Sequence, residues 1–269
     1  MAKHVPKFTY TGDFRTESDE NYWYILLLSS GTLTFPKAKS SMDVFLLAGG
    51  AGGNGGESAW GGSGGASGRT LTLKNLTADA NHAYEIVIGE GGDGGAAAGF
   101  AQPGEATRAF GGEALGGTVA TGGFTAQPGG SIGGSGGGVG GYKNLSWAPG
   151  KGGTDGANGT SGGTWAPGSG QGTTTRAFGE SSGTLYATGG DGGGYAAAAV
   201  GASAQDNTGD GGHGGGKSSA GGKGGSGIVI LRSAIEEPLP VFMDGVQLFG
   251  IVFNGVDVEK LVYNGVEVY

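Results

Sequence analysis

Apolar residues along this chain fall in short blocks, and between the blocks lie long stretches that carry few side chains beyond Cα. Residues 8–14 read as a short strand and turn, and 13–21 are polar and charged, the pattern of a loop. Residues 22–28 are almost continuously apolar and rich in β-formers, which predicts a strand buried on both faces. A Ser-Ser-Gly break at 29–31 separates it from a block at 32–35, and 42–47 predict another buried strand. Residues 69–76 alternate as Arg69-Thr70-Leu71-Thr72-Leu73-Lys74, a half-buried strand. Residues 83–88 and 227–232 complete the set.

The strand at 42–47 runs into Gly49, and the one at 83–88 into Gly89. From Gly49 to Ala66 the chain reads in threes, and five of the six triplets are Gly-Gly-x. A three-residue period fits neither an α-helix nor a β-strand. It fits the polyproline II conformation, which makes no internal hydrogen bonds. Glycine at two positions of three lets neighbouring backbones approach and bond sideways, with the third residue facing outward. The stretch therefore reads as two short polyglycine II helices joined by a turn at 57–60. A flexible Gly/Ser linker is the competing reading. The constant phase argues against it, and so do internal repeats. Thr107-Arg108-Ala109-Phe110-Gly111 returns as Thr175-Arg176-Ala177-Phe178-Gly179, each copy resembling a small hairpin that feeds a new glycine run.

Residues 233–240 form a stiff polar linker. Beyond it, Asp244-Gly245-Val246, Asn254-Gly255-Val256 and Asn264-Gly265-Val266 recur every ten residues between apolar runs. Asn-Gly and Asp-Gly in that setting signal hairpins. The expected organisation is a glycine-rich domain over 1–232, a linker, and a small β-meander over 241–269. Within the first, a β base (1–48, 68–88 and 227–232) carries a polyglycine II bundle (49–67 and 89–227). The fold class is mainly β.

Composition sharpens this picture. Glycine supplies 68 of 269 residues, yet proline numbers only 8 and the register breaks, so the chain is not collagen-like. A net charge of -8 argues against nucleic acid or an anionic membrane as partner. There is no cysteine, and hence no disulfide or thiolate chemistry. No apolar run is long enough to span a membrane, and the opening residues carry no secretory signal, so synthesis in a cytoplasm is expected.

No motif argues for catalysis, a cofactor or a metal. Gly211-Gly212-His213-Gly214-Gly215-Gly216-Lys217-Ser218 matches the P-loop pattern but lacks the strand before it and the helix after it. His4, His82 and His213 have no metal or triad spacing. Asp93, Asp191 and Asp210 are too isolated for calcium nonapeptide repeats. The informative residues are aromatic. Phe100, Phe124, Trp147 and Trp165 each stand just before a Pro-Gly pair, Trp60 lies in the first inter-helix turn, and Tyr142 and Tyr195 follow glycine runs. Pro-Gly favours a type II turn with glycine at positive φ, which would set these rings at loop tips. There they either cap the bundle or bind a ligand.

The order of elements resembles the glycine-rich domain of phage and prophage tail proteins over about residues 20–232: a buried strand, a Gly-Gly-x pair, a threonine-rich strand, Tyr84-Glu85-Ile86-Val87-Ile88-Gly89, long glycine blocks, and Gly225-Ser226-Gly227-Ile228-Val229-Ile230-Leu231-Arg232. The block is also similar to polyglycine II adhesins at tail-fibre tips, from which it departs in its N-terminal β region and its tail. The resemblance implies a non-enzymatic tail-tip or tail-fibre adhesin in the virion. Its partner would be a bacterial surface receptor, protein or glycan, met by Trp60, Phe100, Phe124, Tyr142, Trp147, Trp165 and Tyr195. Attachment to other tail proteins through the C-terminal repeat, and homo-oligomers, are further expectations. A structural tail or baseplate component is the alternative.

Overall fold

The computed structural model describes residues 5–120 and 133–235, together with the paired strands between 241 and 267. Among these residues the chain is mainly β and contains no α-helix. It divides into two units, Met1–Ser233 and Ala234–Tyr269.

The first unit begins with β1 (Thr9–Tyr10), β2 (Phe14–Ser18), β3 (Tyr22–Leu27), β4 (Gly31–Thr34) and β5 (Lys39–Leu47). After the first glycine stretch come β6 (Thr70–Ala78) and β7 (Tyr84–Ile86), then the hairpin β8 (Thr107–Ala109) and β9 (Gly112–Ala114), and finally β10 (Ile228–Ala234). The main sheet has the order β2-β3-β10-β5-β6, and a smaller one the order β1-β4-β7. The apolar blocks became strands because burial rewards them. Ile25, Leu27, Val44, Leu46, Leu47, Val229 and Leu231 are fully enclosed. One face of the main sheet contributes Leu26, Phe45, Leu47, Ile228 and Ile230 to a core that Ala177, Phe178 and Ala187 close from above.

The polar stretch expected as a loop holds β2, which pairs antiparallel with β3 from Phe14↔Leu27 to Ser18↔Trp23. It is an edge strand, and its Arg15 and Glu17 pair with each other at 3.1 Å on the exposed side. Charged edge strands protect a sheet from further pairing, so the lack of an apolar run is part of the design.

The two copies of the Thr-Arg-Ala-Phe-Gly repeat share a backbone feature. Phe110 and Gly111 have φ of 50° and 76°, and Phe178 and Gly179 have 58° and 72°. In the first copy this makes a two-residue hairpin closed by Ala109↔Gly112, matching a type I′ turn. In the second, Arg176 pairs with Leu185, and Glu180, Ser181, Ser182 and Gly183 lengthen the loop.

The glycine runs lie outside the strands, and their bonding has a period of three. In residues 49–57, the N–H groups of Gly49, Gly52 and Gly55 donate to the carbonyls of Glu105, Gln102 and Gly99. Those of Gly50, Gly53 and Gly56 donate to Gly225, Gly222 and Ser219, and those of Ala51, Asn54 and Glu57 to Ala66, Ser63 and Trp60. The carbonyls of this run accept from 92–98, 212–218 and Gly117. Residues 49–57 are thus surrounded, donating to three neighbours and accepting from three more. A Cβ on Gly53 would overlap the His213 carbonyl, and one on Gly50 the Asp210 carbonyl. The third position was expected to face outward. Ala51 and Asn54 are instead buried, at 0% and 2% exposure, because neighbours stand on every side. Asn54 fits by donating from Nδ2 to Ser63 Oγ at 3.0 Å and accepting the Ala101 N–H at Oδ1 at 2.9 Å.

The second unit comprises β11 (Val241–Met243) with β12 (Val246–Leu248), β13 (Val252–Phe253) with β14 (Val256–Asp257), and β15 (Val262–Tyr263) with β16 (Val266–Glu267), each an antiparallel pair. Among the described residues the three pairs remain separate sheets.

Candidate functional site

Glycine runs that leave the sheets at Leu47, Ile86 and Ile228 turn at the far end of the domain, and backbone bonds tie those turns together. Ser218 N–H donates to Glu57, Ala98 N–H to Gly56, Lys143 N–H to Ala59, and Lys217 N–H to Ala197. The residues around 57–60, 96–99, 143–146, 196–199 and 217–218 therefore form one surface.

The aromatic residues converge there. Tyr142 sits between two isolated bridges, one to Trp60 and one to Trp147. The 143–146 turn that allows the second bridge places Ser146 at φ 53° and closes through Ser146 N–H to the Lys143 carbonyl at 3.1 Å. The Trp60 and Tyr142 rings stack 3.6 Å apart at 8°. Trp165 lies 5.0 Å from Trp60 and meets Trp147 edge-on, 4.9 Å away at 80°. Four rings from three separate segments form one cluster, each half-buried. The Trp147 indole lies so close to Gly163 that a Cβ there would clash with its ring atoms. Tyr195 stands beside the cluster, since a Cβ on Gly141 would come within 3.2 Å of its Cδ1. Phe100 is carried on a different turn, following Ala96–Ala98, and is 44% exposed. Phe124 lies outside the described residues, as does His4.

The three Pro-Gly pairs among the described residues do not make the expected type II turns, because Gly104, Gly150 and Gly168 are not at positive φ. Each glycine instead bonds sideways to a neighbouring segment: Gly104 N–H donates to Gly117, Gly150 N–H to Val139, and Gly168 N–H to Gly137.

The segments that carry the rings are fastened below the surface. Lys151 Nζ donates to Asp191 Oδ2 and Gly152 N–H to Asp191 Oδ1, both at 2.8 Å. Partial burial works to raise the Asp191 pKa, but these two bonds and the Lys151 charge outweigh it and hold the carboxyl below its usual range. Leu145 and Val200, 55% and 74% exposed on the same set of turns, were not singled out by sequence. The apolar run Ala196-Ala197-Ala198-Ala199-Val200 between glycine blocks was the signal that could have found the second.

The surface offers ring faces and apolar contact, with the exposed Lys143 and Lys217 beside them. Among the described residues no group of three His, Asp or Glu could hold a metal ion. In the P-loop match, the N–H groups of Gly211, Gly212, Gly214, Gly215 and Gly216 all donate to neighbouring carbonyls, leaving none to cradle a phosphate. His82 packs edge-on to Tyr84 at 4.6 Å.

A family model described as a glycine-rich domain matches residues 28–234. No curated protein matches the chain.

Proposed function

The chain belongs to the glycine-rich domain family, and on that premise we propose that it is a non-enzymatic adhesin at a phage tail tip or tail fibre, recognising a bacterial surface receptor. The observation that carries this reading is the convergence of Trp60, Tyr142, Trp147 and Trp165 on one end of the domain. The resemblance of residues 20–232 to phage-tail glycine-rich domains supplies the setting, a virion tail. In this reading the glycine runs are polyglycine II helices packed as a bundle. Their period-three lateral bonding supports that, since a polyproline II backbone has no bonds of its own. A rigid scaffold then presents loops and aromatic anchors, which give large contact area at small entropic cost. The C-terminal hairpins attach the domain to other tail proteins or to further copies of the chain.

A second reading, a structural tail component, draws on a specific observation: the rings are half-buried against one another and Trp147 rests on Gly163, as capping groups would. Adsorption to a panel of bacterial strains and thermal melting separate the two, using Trp147→Ala, Trp165→Ala and Phe100→Ala. For recognition, at least one change costs about 2 kcal/mol of binding or more, roughly a thirtyfold loss, while the fold survives. A lowered melting temperature with unchanged adsorption per folded molecule assigns the cluster to structure.

A further inference from the structure

A cleft of about 520 Å³ lies on the β base, between the β2–β3 edge of the main sheet and the lengthened loop of the second Thr-Arg-Ala-Phe-Gly copy. That is within the roughly 300–1,000 Å³ of ligand sites. Its lining mixes rings with polar side chains: Tyr22 and Tyr24, both half-buried, stand 6.2 Å apart, and Phe178 and Tyr186 add two more rings. The first copy of the repeat, with its two-residue turn, has no counterpart to the Glu180–Gly183 extension that lines this cleft.

Every ionic group around it is already matched. Arg232, 5% exposed on β10, is gripped at both ends by Glu180, at 2.8 and 2.6 Å, and reaches Asp43 at 3.2 Å. Its guanidinium lies 4.0 Å from the Phe178 ring centre and 4.6 Å from that of Tyr22. Its Nε has no hydrogen-bond partner, and the two ring faces are its surroundings. Arg15 pairs with Glu17. Asp19 accepts from the N–H groups of Asn21 and Tyr22 and from the Tyr24 hydroxyl, at 2.7–2.8 Å.

A ligand that ion-pairs with Arg232 would have to displace Glu180 or Asp43 from a nearly buried guanidinium, and breaking such a pair is strongly unfavourable. A polyhydroxylated neutral ligand would not. Its hydroxyls both donate and accept, so they can bond the free lone pairs of Glu17 and Glu180, the Arg15 N–H groups and the Ser182 hydroxyl together. Its C–H faces suit the tyrosine rings. We propose that this cleft binds a neutral saccharide, at a site separate from the distal ring cluster and independent of its assignment.

The test is titration of the full chain with glucose, galactose and N-acetylglucosamine and their di- and trisaccharides, followed by saturation-transfer NMR and calorimetry. At least one should bind. Tyr22→Ala should weaken that binding at least tenfold. Ser182→Trp, an exposed loop position whose new ring fills the cleft without touching the core, should abolish it with the melting temperature unchanged. Trp147→Ala should leave it intact. Three results overturn the proposal: no saccharide binds, binding survives Ser182→Trp, or an oligolysine peptide binds in the saccharides' place, which would give the cleft to a cationic protein partner.

Discussion

The main sheet and the glycine runs are held together by opposite means. In the sheet, side chains such as Phe45, Leu47 and Ile230 are enclosed, and hydrophobic burial is the dominant favourable contribution. In the runs there is almost nothing to bury. Cohesion comes from backbone hydrogen bonds, each worth about 0.5–1.5 kcal/mol net, set against glycine's large loss of freedom on folding. The difference lies in what each region tolerates. A core can absorb a change of shape by repacking, whereas a run whose neighbour's backbone sits where a Cβ would go has nothing soft to move.

The largest effect is therefore expected in the run. Gly53→Val drives a side chain into the His213 carbonyl and should cost more than about 4 kcal/mol, the exceptional end of single substitutions. Denaturant unfolding measures it. The sheet's counterpart is a volume-conserving change at an enclosed position, Leu47→Met, which should cost less than about 1.5 kcal/mol. Equal tolerance of the two sites would erase the contrast.

The third prediction concerns acid. A hydrogen bond from Arg232 is the main reason the Glu180 pKa lies below its ordinary 4.5. A carboxyl with a lowered folded pKa stabilises the fold at pH above its unfolded value, and that contribution fades as pH falls through the folded value. Wild type should lose stability relative to Glu180→Gln as pH drops below about 4.5, with the difference constant at neutral pH. Parallel stability curves down to acid pH would mean the pair contributes nothing. The smallest effect belongs to Glu57→Val. It lies at a third position on a turn, where a side chain is already present, and should change stability by no more than about 0.5 kcal/mol.

Much of the fold was legible because its causes are local. Residues 22–28 and 42–47 announced strands by their apolar runs, and the Gly-Gly-x phase pointed to lateral bonding. β2 was not legible, since an exposed charged edge strand has the composition of a loop. Nor was the burial of Ala51 and Asn54, because a period reveals the symmetry of one rod but not how many neighbours surround it. The rings at Trp60, Tyr142, Trp147 and Trp165 stood out singly. Their convergence depends on bonds such as Lys143 to Ala59, which no spacing encodes. Arg232 and Glu180 are likewise joined only by the return of β10 beside the core.

The central claim is that the glycine runs are ordered through their backbones, and amide hydrogen exchange at Gly50, Gly53 and Gly56 tests it most directly. These N–H groups donate to Gly225, Gly222 and Ser219, so they should exchange as slowly as those of Val44–Leu47 in β5, through global unfolding alone. Exchange at the rate of an unstructured Gly/Ser linker, while β5 stays protected, would contradict it.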